Sequence, residues 1–311
     1  MRVLVTGAEG FVGRHLIRVL RDAGHEVTAT ARTQTEPHEG IAFTAIELGS
    51  PEPWRELVSG VRPQAVVHLA GLTGHPDPGE LYRVNVVGTE ALLKAIASVE
   101  GVRPNVLLTS TAAVYGDQAL PLIDETAPTL PVSHYGLTKL AMEQVARLHA
   151  ATLPIRVVRP FNVIGRGQHE AFLIPKVVAH FARRAPSIEL GNLKPERDFI
   201  DVRDAVELLA GLAGIEPAAF DVVNLCSGVG TSVEQLVSLL SELTGHELAV
   251  TINPAFVRKN ETWRIVGDNR KVLGLTGTRL RYALRETLSW MLGGDSSARP
   301  HVRGGSALPP R

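Results

Sequence analysis

The feature that most constrains this chain is its opening stretch, RVLVTGAEGFVGRHLIRVLRDAG. An apolar run, a turn with glycines at 7, 10 and 13, and an amphipathic helical pattern follow one another directly. Glycines in such a turn let the backbone bend tightly, approach a bound group closely and seat the helix against the strand, while the helix N-terminus favours negative charge. EVTATAR then reads as a second strand, and AVVHLAG, NVLLTST and IRVVRPFN as further buried strands, with NVVGTEALLKAIAS and YGLTKLAMEQVARLHAAT as helices between them. Strands that alternate with crossover helices pair in parallel, so the expected fold class is α/β, a doubly wound parallel (Rossmann) sheet with helices on both faces.

Beyond about residue 165 the rhythm loosens into helices at IPKVVAHFARR, DVRDAVELLAGLAG and SVEQLVSLLSELTG, with GNLKPERDF between them as a polar loop. The reading is a nucleotide-binding domain over 1–165, to which the chain returns at 198–224, and a smaller α/β substrate-binding lobe from 166–197 and 225–292 over the carboxyl edge of the sheet. Residues 293–311, rich in Gly, Ser, Pro and Arg and without periodicity, read as a flexible tail.

Charge excludes some partners. Lys plus Arg equals Asp plus Glu at 32 each, so no overall field draws the chain to nucleic acid or an anionic membrane. The start MRVLVTG is already strand and turn, no apolar run reaches the roughly 18 residues of a membrane span, and a cytoplasmic protein is expected. The single cysteine, Cys226, lies in apolar VVNLCSG and reads as a buried packing residue. The eleven histidines are scattered with no HxxxH or HExxH pair, and no metal is assigned.

Gly7, Gly10 and Gly13, set between strand and helix, indicate a dinucleotide site. The residue after the second strand separates the two nicotinamide cofactors: an acid there accepts the ribose 2′-hydroxyl of NAD, and a cation meets the 2′-phosphate of NADP. The strand ends TATART, so Arg32, assisted by Thr33 and Thr35, points to NADPH; the alternative is a solvated strand end. In SHYGLTK, Tyr135 and Lys139 lie four apart, on one face of a helix, which by itself is ordinary geometry.

The ordered set TGAEGFVG, HLAG, NVVGT, LLTSTAAVYG, YGLTK, RPFNVIGRGQ, RDFIDVRD and NLCSG resembles the extended short-chain dehydrogenase/reductase family, in its nucleotide-sugar branch, over residues 1 to about 292. The resemblance implies that Thr111, Tyr135 and Lys139 are catalytic, and that the dinucleotide meets Gly7, Gly10, Phe11, Val12, Gly13, Arg32, Leu69 and Ala70 besides Tyr135 and Lys139. Reduction of a ketone develops an alkoxide, which needs a proton donor and hydrogen-bond stabilisation. Tyr135 would donate, Thr111 would hydrogen-bond the carbonyl oxygen, and the positive charge of Lys139 and the nicotinamide together would help Tyr135 exchange its proton near neutral pH. Ser110 is the neighbouring candidate for substrate contact, although strand alternation sends it to the opposite face from Thr111.

Within that branch, 4,6-dehydratases carry an Asp-Glu pair where this chain has Ala112 and Ala113, so dehydration is not expected. RPFNVIGRGQ and ERDFIDVRD most resemble the GDP-6-deoxy-mannose reductases, which implies reduction of a GDP-linked 4-keto-6-deoxyhexose, with substrate contacts from Asn162, Arg197 and Arg258. Arginine suits a diphosphate because its planar fork pairs two oxygens. A dTDP- or UDP-linked sugar, an epimerase using the same tyrosine, and a non-enzymatic NADP sensor stay open. His134 reads as loop filler and Glu261 carries no assignment. Helices 85–97 and 135–152 carry apolar Leu92, Leu93, Leu140 and Met142, and the resemblance implies that these helices pair in a homodimer, the alternative being that these residues serve the monomer's core.

Overall fold

The computed structural model describes residues 1–33, 41, 43–75, 77–257 and 262–293. The first half runs β1 (Arg2–Thr6), α1 (Phe11–Asp22), β2 (Glu26–Ala31), β3 (Phe43–Ala45), α2 (Pro51–Val61), β4 (Ala65–His68), α3 (Pro78–Tyr82), a π-helical turn over Arg83–Val87, α4 (Gly88–Ser98), β5 (Asn105–Thr109), α5 (His134–Leu148) and β6 (Ile155–Pro160). The second half adds β7 (Asn162–Ile164), α6 (Leu173–Ala182), β8 (Ser187–Leu190), β9 (Glu196–Asp201), α7 (Val202–Ala213), β10 (Asp221–Leu225), β11 (Gly230–Ser232), α8 (Val233–Thr244), β12 (Ala249–Ile252), β13 (Arg264–Ile265), α9 (Arg270–Thr276) and α10 (Leu284–Met291).

Seven strands form one sheet in the order β10-β6-β5-β4-β1-β2-β3, with every neighbouring pair parallel. Chain order reverses between β1 and β4, and a doubly wound sheet opens its binding crevice beyond the strand ends at such a reversal. Alternate residues serve opposite faces. Val3 and Val5 join Leu16, Ile17 and Leu20 of α1 and Leu208, Leu209 and Leu212 of α7, whereas Leu4 joins Trp54 of α2, Leu92, Leu93 and Ile96 of α4, and Met142 of α5. Burial on both faces is why these strands read as unbroken apolar runs.

The same packing takes four of the apolar residues expected at a dimer face into the core. Leu92, Leu93 and Met142 are fully buried, and Leu140 is half-buried against the cluster around Tyr115 and Phe161. All four serve the monomer's own core, because α4 and α5 lie against each other and the sheet. Both helices also differ from their expected spans: α-helix begins only at Gly88 after the π turn, and α5 stops at Leu148.

The remaining strands build two small sheets, β11-β9-β13 with β7 beside β9, and β12-β8. A third core of Val177 and Phe181 from α6, Leu236 and Leu240 from α8, and Leu288 from α10 holds them together. Helix α8 starts with a capping box, Ser232 and Gln235 each satisfying the other's main-chain N–H, and ends at left-handed Gly245. The segment expected as a polar loop, GNLKPERDF, already enters β9 at Glu196. Beyond Gly293, the expected tail lies outside the described residues. No described helix is long and apolar enough to cross a membrane.

Candidate active site

The crevice is built first by the turn after β1. Gly7 has φ of 64°, and a Cβ on it would stand 2.7 Å from the main chain of Ala70. A side chain would therefore drive the first turn off the end of β4. A Cβ on Gly13 would meet Gly7 O at 2.6 Å, so α1 starts hard against its own turn. Gly10 is exposed, and Phe11, Val12, Leu69 and Ala70 are half-buried around it. The predicted dinucleotide contacts from β1–α1 and β4 are thus brought together.

A buried hydrogen-bond relay fixes this corner. The Ala70 N–H donates to Thr6 Oγ1 at 3.2 Å, and Thr6 Oγ1 lies 2.7 Å from His68 Nδ1. His68 Nε2 lies 2.9 Å from Thr89 Oγ1, which donates to Asn85 O at 2.9 Å. The Thr89 hydroxyl already donates to Asn85, so it accepts from Nε2–H, and Nδ1 accepts from Thr6. Burial, with Lys139 adding to it, lowers the His68 pKa to about 3, which keeps the ring neutral. The relay ends in the π turn, where fully buried Asn85 accepts from Leu72 N–H at 2.8 Å and donates to Thr138 Oγ1 at 3.0 Å. A π turn is a frequent mark of functional sites, and it aims Asn85 across the crevice at α5.

Helix α5 supplies the central pair. Ser133 caps it by accepting the Gly136 N–H, which sets Tyr135 in the first turn and Lys139 one turn on. A Cβ on Gly136 would stand 2.8 Å from Ala113 O, so its absence lets α5 press against the turn after β5. That approach sets Tyr135 beside the turn that carries Thr111, whose hydroxyl draws the Tyr135 pKa down. Lys139 Nζ donates to Thr109 O at 2.8 Å and lies 3.1 Å from where a Gly71 Cβ would sit. Thr111, Tyr135 and Lys139 therefore share one wall.

Burial raises the Tyr135 pKa, and the neighbouring Thr111 hydroxyl only partly opposes the rise. Lys139 is buried, which lowers its pKa to about 8, while Glu143 one turn further along α5 opposes the fall.

Ser110 is placed elsewhere. It is 2% exposed, and its hydroxyl donates to Glu143 Oε1 at 2.5 Å, on the far side of the strand end from Thr111. Glu143 also receives Arg159 through Nε at 3.0 Å and Nη2 at 2.6 Å, and the Arg159 guanidinium lies over the Tyr115 ring. Tyr115 in turn donates to Asn224 Oδ1 at 2.7 Å. Alternation separates Ser110 from the wall where substrate contact was expected. Glu143, Arg159 and Asn85 had no role assigned from sequence; NVVGT and RPFN marked two of their neighbourhoods, but no spacing rule marks Glu143.

Toward the smaller lobe, Asn162 is exposed and donates through Nδ2 to Asp198 O at 2.8 Å. Its strand register pairs it with Phe199, two residues after Arg197, which is half-buried in β9. Asp198 pins this corner by accepting the N–H and Oγ of Ser227, each at 2.7 Å, and the N–H of Gly228 at 2.8 Å. Cys226 is fully enclosed, and burial pushes its thiol pKa up, as suits a packing residue. Arg32 is exposed directly after β2, beside Thr33. Thr35, Arg258 and Glu261 lie outside the described residues.

Comparison with known proteins agrees with this geometry. Residues 3–224 match the NAD dependent epimerase/dehydratase family. The chain is 36% identical over 284 residues to a GDP-6-deoxy-D-talose 4-dehydrogenase of Aggregatibacter actinomycetemcomitans, covering 91% of this chain and 93% of that one. It is 33% identical over 305 residues to a GDP-6-deoxy-D-mannose reductase of Pseudomonas aeruginosa, covering 94% and 96%. The solved structure of RMD from Pseudomonas aeruginosa complexed with NADPH superposes with a TM-score of 0.80 at 31% identity, covering 94% of this chain and 97% of that one.

Proposed function

The chain belongs to the NAD dependent epimerase/dehydratase family, the extended short-chain dehydrogenase/reductases, and from that premise we propose that it reduces the 4-keto group of GDP-4-keto-6-deoxy-mannose with NADPH. One observation carries the reading: α5 presses Tyr135 against the turn that bears Thr111 and sets buried Lys139 one helical turn on, with Ala112 and Ala113 where a dehydration would need an acid and a base. One relative's name describes 4-dehydrogenation of a GDP-linked 6-deoxytalose and the other's a GDP-6-deoxy-mannose reductase, and 6-deoxytalose and 6-deoxymannose are C4 epimers reached from one ketone. The nucleotide and the C4 configuration are therefore the finer points that the experiment must read.

The residues fit a nicotinamide dinucleotide. Gly7 and Ala70 form a cradle that a Cβ would fill, and Thr109 Oγ1 is buried without a hydrogen-bond partner among the described residues, on the residue whose carbonyl holds Lys139. Gly7, Gly10, Gly13 and the start of α1 would hold the pyrophosphate, Lys139 the nicotinamide ribose, and Arg32 the 2′-phosphate. When bound, the cofactor supplies the hydride. Thr111 then orients the carbonyl oxygen, and Tyr135 donates its phenolic proton to the oxygen as charge develops there. The Lys139 ammonium offsets the transient phenolate, and Asn162 and Arg197 contact the sugar and diphosphate.

The same reading gives residues 166–197 and 225–292 the substrate, and a cytoplasmic homodimer in which exposed Leu137 and Leu148 of α5 and Val87 before α4 meet their copies. A monomer mass by light scattering would remove the dimer. The function is tested by following NADPH absorbance with GDP-4-keto-6-deoxy-mannose, the dTDP sugar in parallel, and the product resolved as talose or mannose form. Consumption with the GDP sugar supports the reading, consumption only with the dTDP sugar moves the nucleotide, and none with either overturns it.

A further inference from the structure

Glu9 stands inside the glycine turn, yet neither the turn's geometry nor the proposed chemistry uses a carboxylate there. Its side chain crosses to the end of β2, where Oε1 accepts the Arg32 N–H at 3.2 Å. The other oxygen, Oε2, is enclosed and has no hydrogen-bond partner among the described residues. The Glu9 carbonyl is held by Arg14 Nε at 2.8 Å, so the turn that presents this carboxylate is tied back to α1. A buried acceptor left without a donor costs free energy that a hydroxyl arriving at that point would recover.

The end of β2 is where an acid reads the ribose 2′-hydroxyl of NAD and a cation reads the 2′-phosphate of NADP. This chain brings both to the same place, the cation on the strand end and the acid from across the turn. We infer that Glu9 is a cofactor-selectivity residue that opposes Arg32, accepting a ribose hydroxyl of NAD(H) and repelling the 2′-phosphate of NADP(H). A hydroxyl donates to a carboxylate, whereas two negative groups at that range repel in a partly desolvated turn. The consequence is an enzyme that accepts both dinucleotides, with Arg32 alone favouring NADPH. This rests on the dinucleotide site proposed above.

Dissociation constants for NADH and NADPH, titrated by fluorescence on the full-length wild type, Glu9→Gln, Glu9→Ser and Arg32→Ala, test it. Glutamine keeps an acceptor for the Arg32 N–H and removes the charge, and serine provides a second route if glutamine fails to fold. The wild type is expected to bind the two within about tenfold, and either Glu9 variant to shift the ratio about tenfold or more toward NADPH. Arg32→Ala is expected to shift it toward NADH. A ratio unchanged in both Glu9 variants, or moved toward NADH, overturns the role of Glu9 while leaving the site intact. A wild type that binds neither dinucleotide overturns the site reading and this inference with it.

Discussion

Ser110 and Thr111 are neighbours with hydroxyls of similar chemistry, and the fold gives them opposite uses. Ser110 turns into a sealed network in which Glu143 accepts from the Ser110 hydroxyl and from Nε and Nη2 of Arg159. Thr111 lies beside Tyr135, and Thr109, two residues before it, has an Oγ1 without a hydrogen-bond partner among the described residues. The difference lies in how complete each network is. Where the carboxylate's acceptors are met, buried charge fixes a shape; where polar atoms are left without partners at the crevice wall, a ligand has something to complete. The sealed side is not perfect, since Arg159 Nη1 has no hydrogen-bond partner among the described residues, but its guanidinium lies against the Tyr115 ring.

The sharpest way to break the comparison is Tyr135→Phe. It should lower turnover of the keto sugar by about 10²–10⁴-fold, leave dinucleotide affinity in place and leave the melting temperature nearly unchanged. A near-normal rate would mean that the Thr111 side is not where protons move. Next in size is Glu143→Ala on the sealed side, which strands buried Arg159 and should cost about 3–5 kcal/mol of stability in urea unfolding. Unfolding at the wild-type midpoint would show that the network holds nothing together.

The neighbours themselves give a smaller, paired test. Thr111→Val should lower kcat about tenfold to a hundredfold with little change in stability, and Ser110→Ala should do the reverse, costing about 1–2 kcal/mol with little change in rate. Equal effects on rate would erase the distinction between the two faces. The smallest expected effect is on pH dependence. With the Lys139 pKa lowered to about 8, the rate should fall as pH rises through about 8 and the ammonium is lost. The unfolded chain keeps that proton up to the ordinary value of 10.5, so the Lys139 contribution to stability grows between these two values instead of falling. Glu143→Gln removes the charge that opposes the burial effect and should move the descending limb of the rate profile to lower pH; a limb that stays in place would uncouple the two networks.

Much of this was legible because it is local. The glycine turn, the alternation of apolar runs with helical patterns and the four-residue spacing of Tyr135 and Lys139 are properties of short segments, whose periodicity and backbone needs are written in adjacent residues. The opposite facing of Ser110 and Thr111 followed from strand alternation alone. The short strands of the second half were harder to read, since β8, β12 and β13 have two to four residues each and pair with distant partners.

What only the tertiary structure decided is which distant groups meet. Leu92, Leu93, Leu140 and Met142 gave the same apolar pattern for a dimer face or an inner core, and the packing of α4 and α5 on the sheet chose the core. Glu143 and Arg159 find each other across 16 residues, His68 and Thr6 across 62, and Glu9 reaches Arg32 across 23. Sequence fixes the torsional and hydrophobic preferences of each segment, but a hydrogen bond or a pKa depends on the few ångströms between segments, and only the assembled sheet sets those distances.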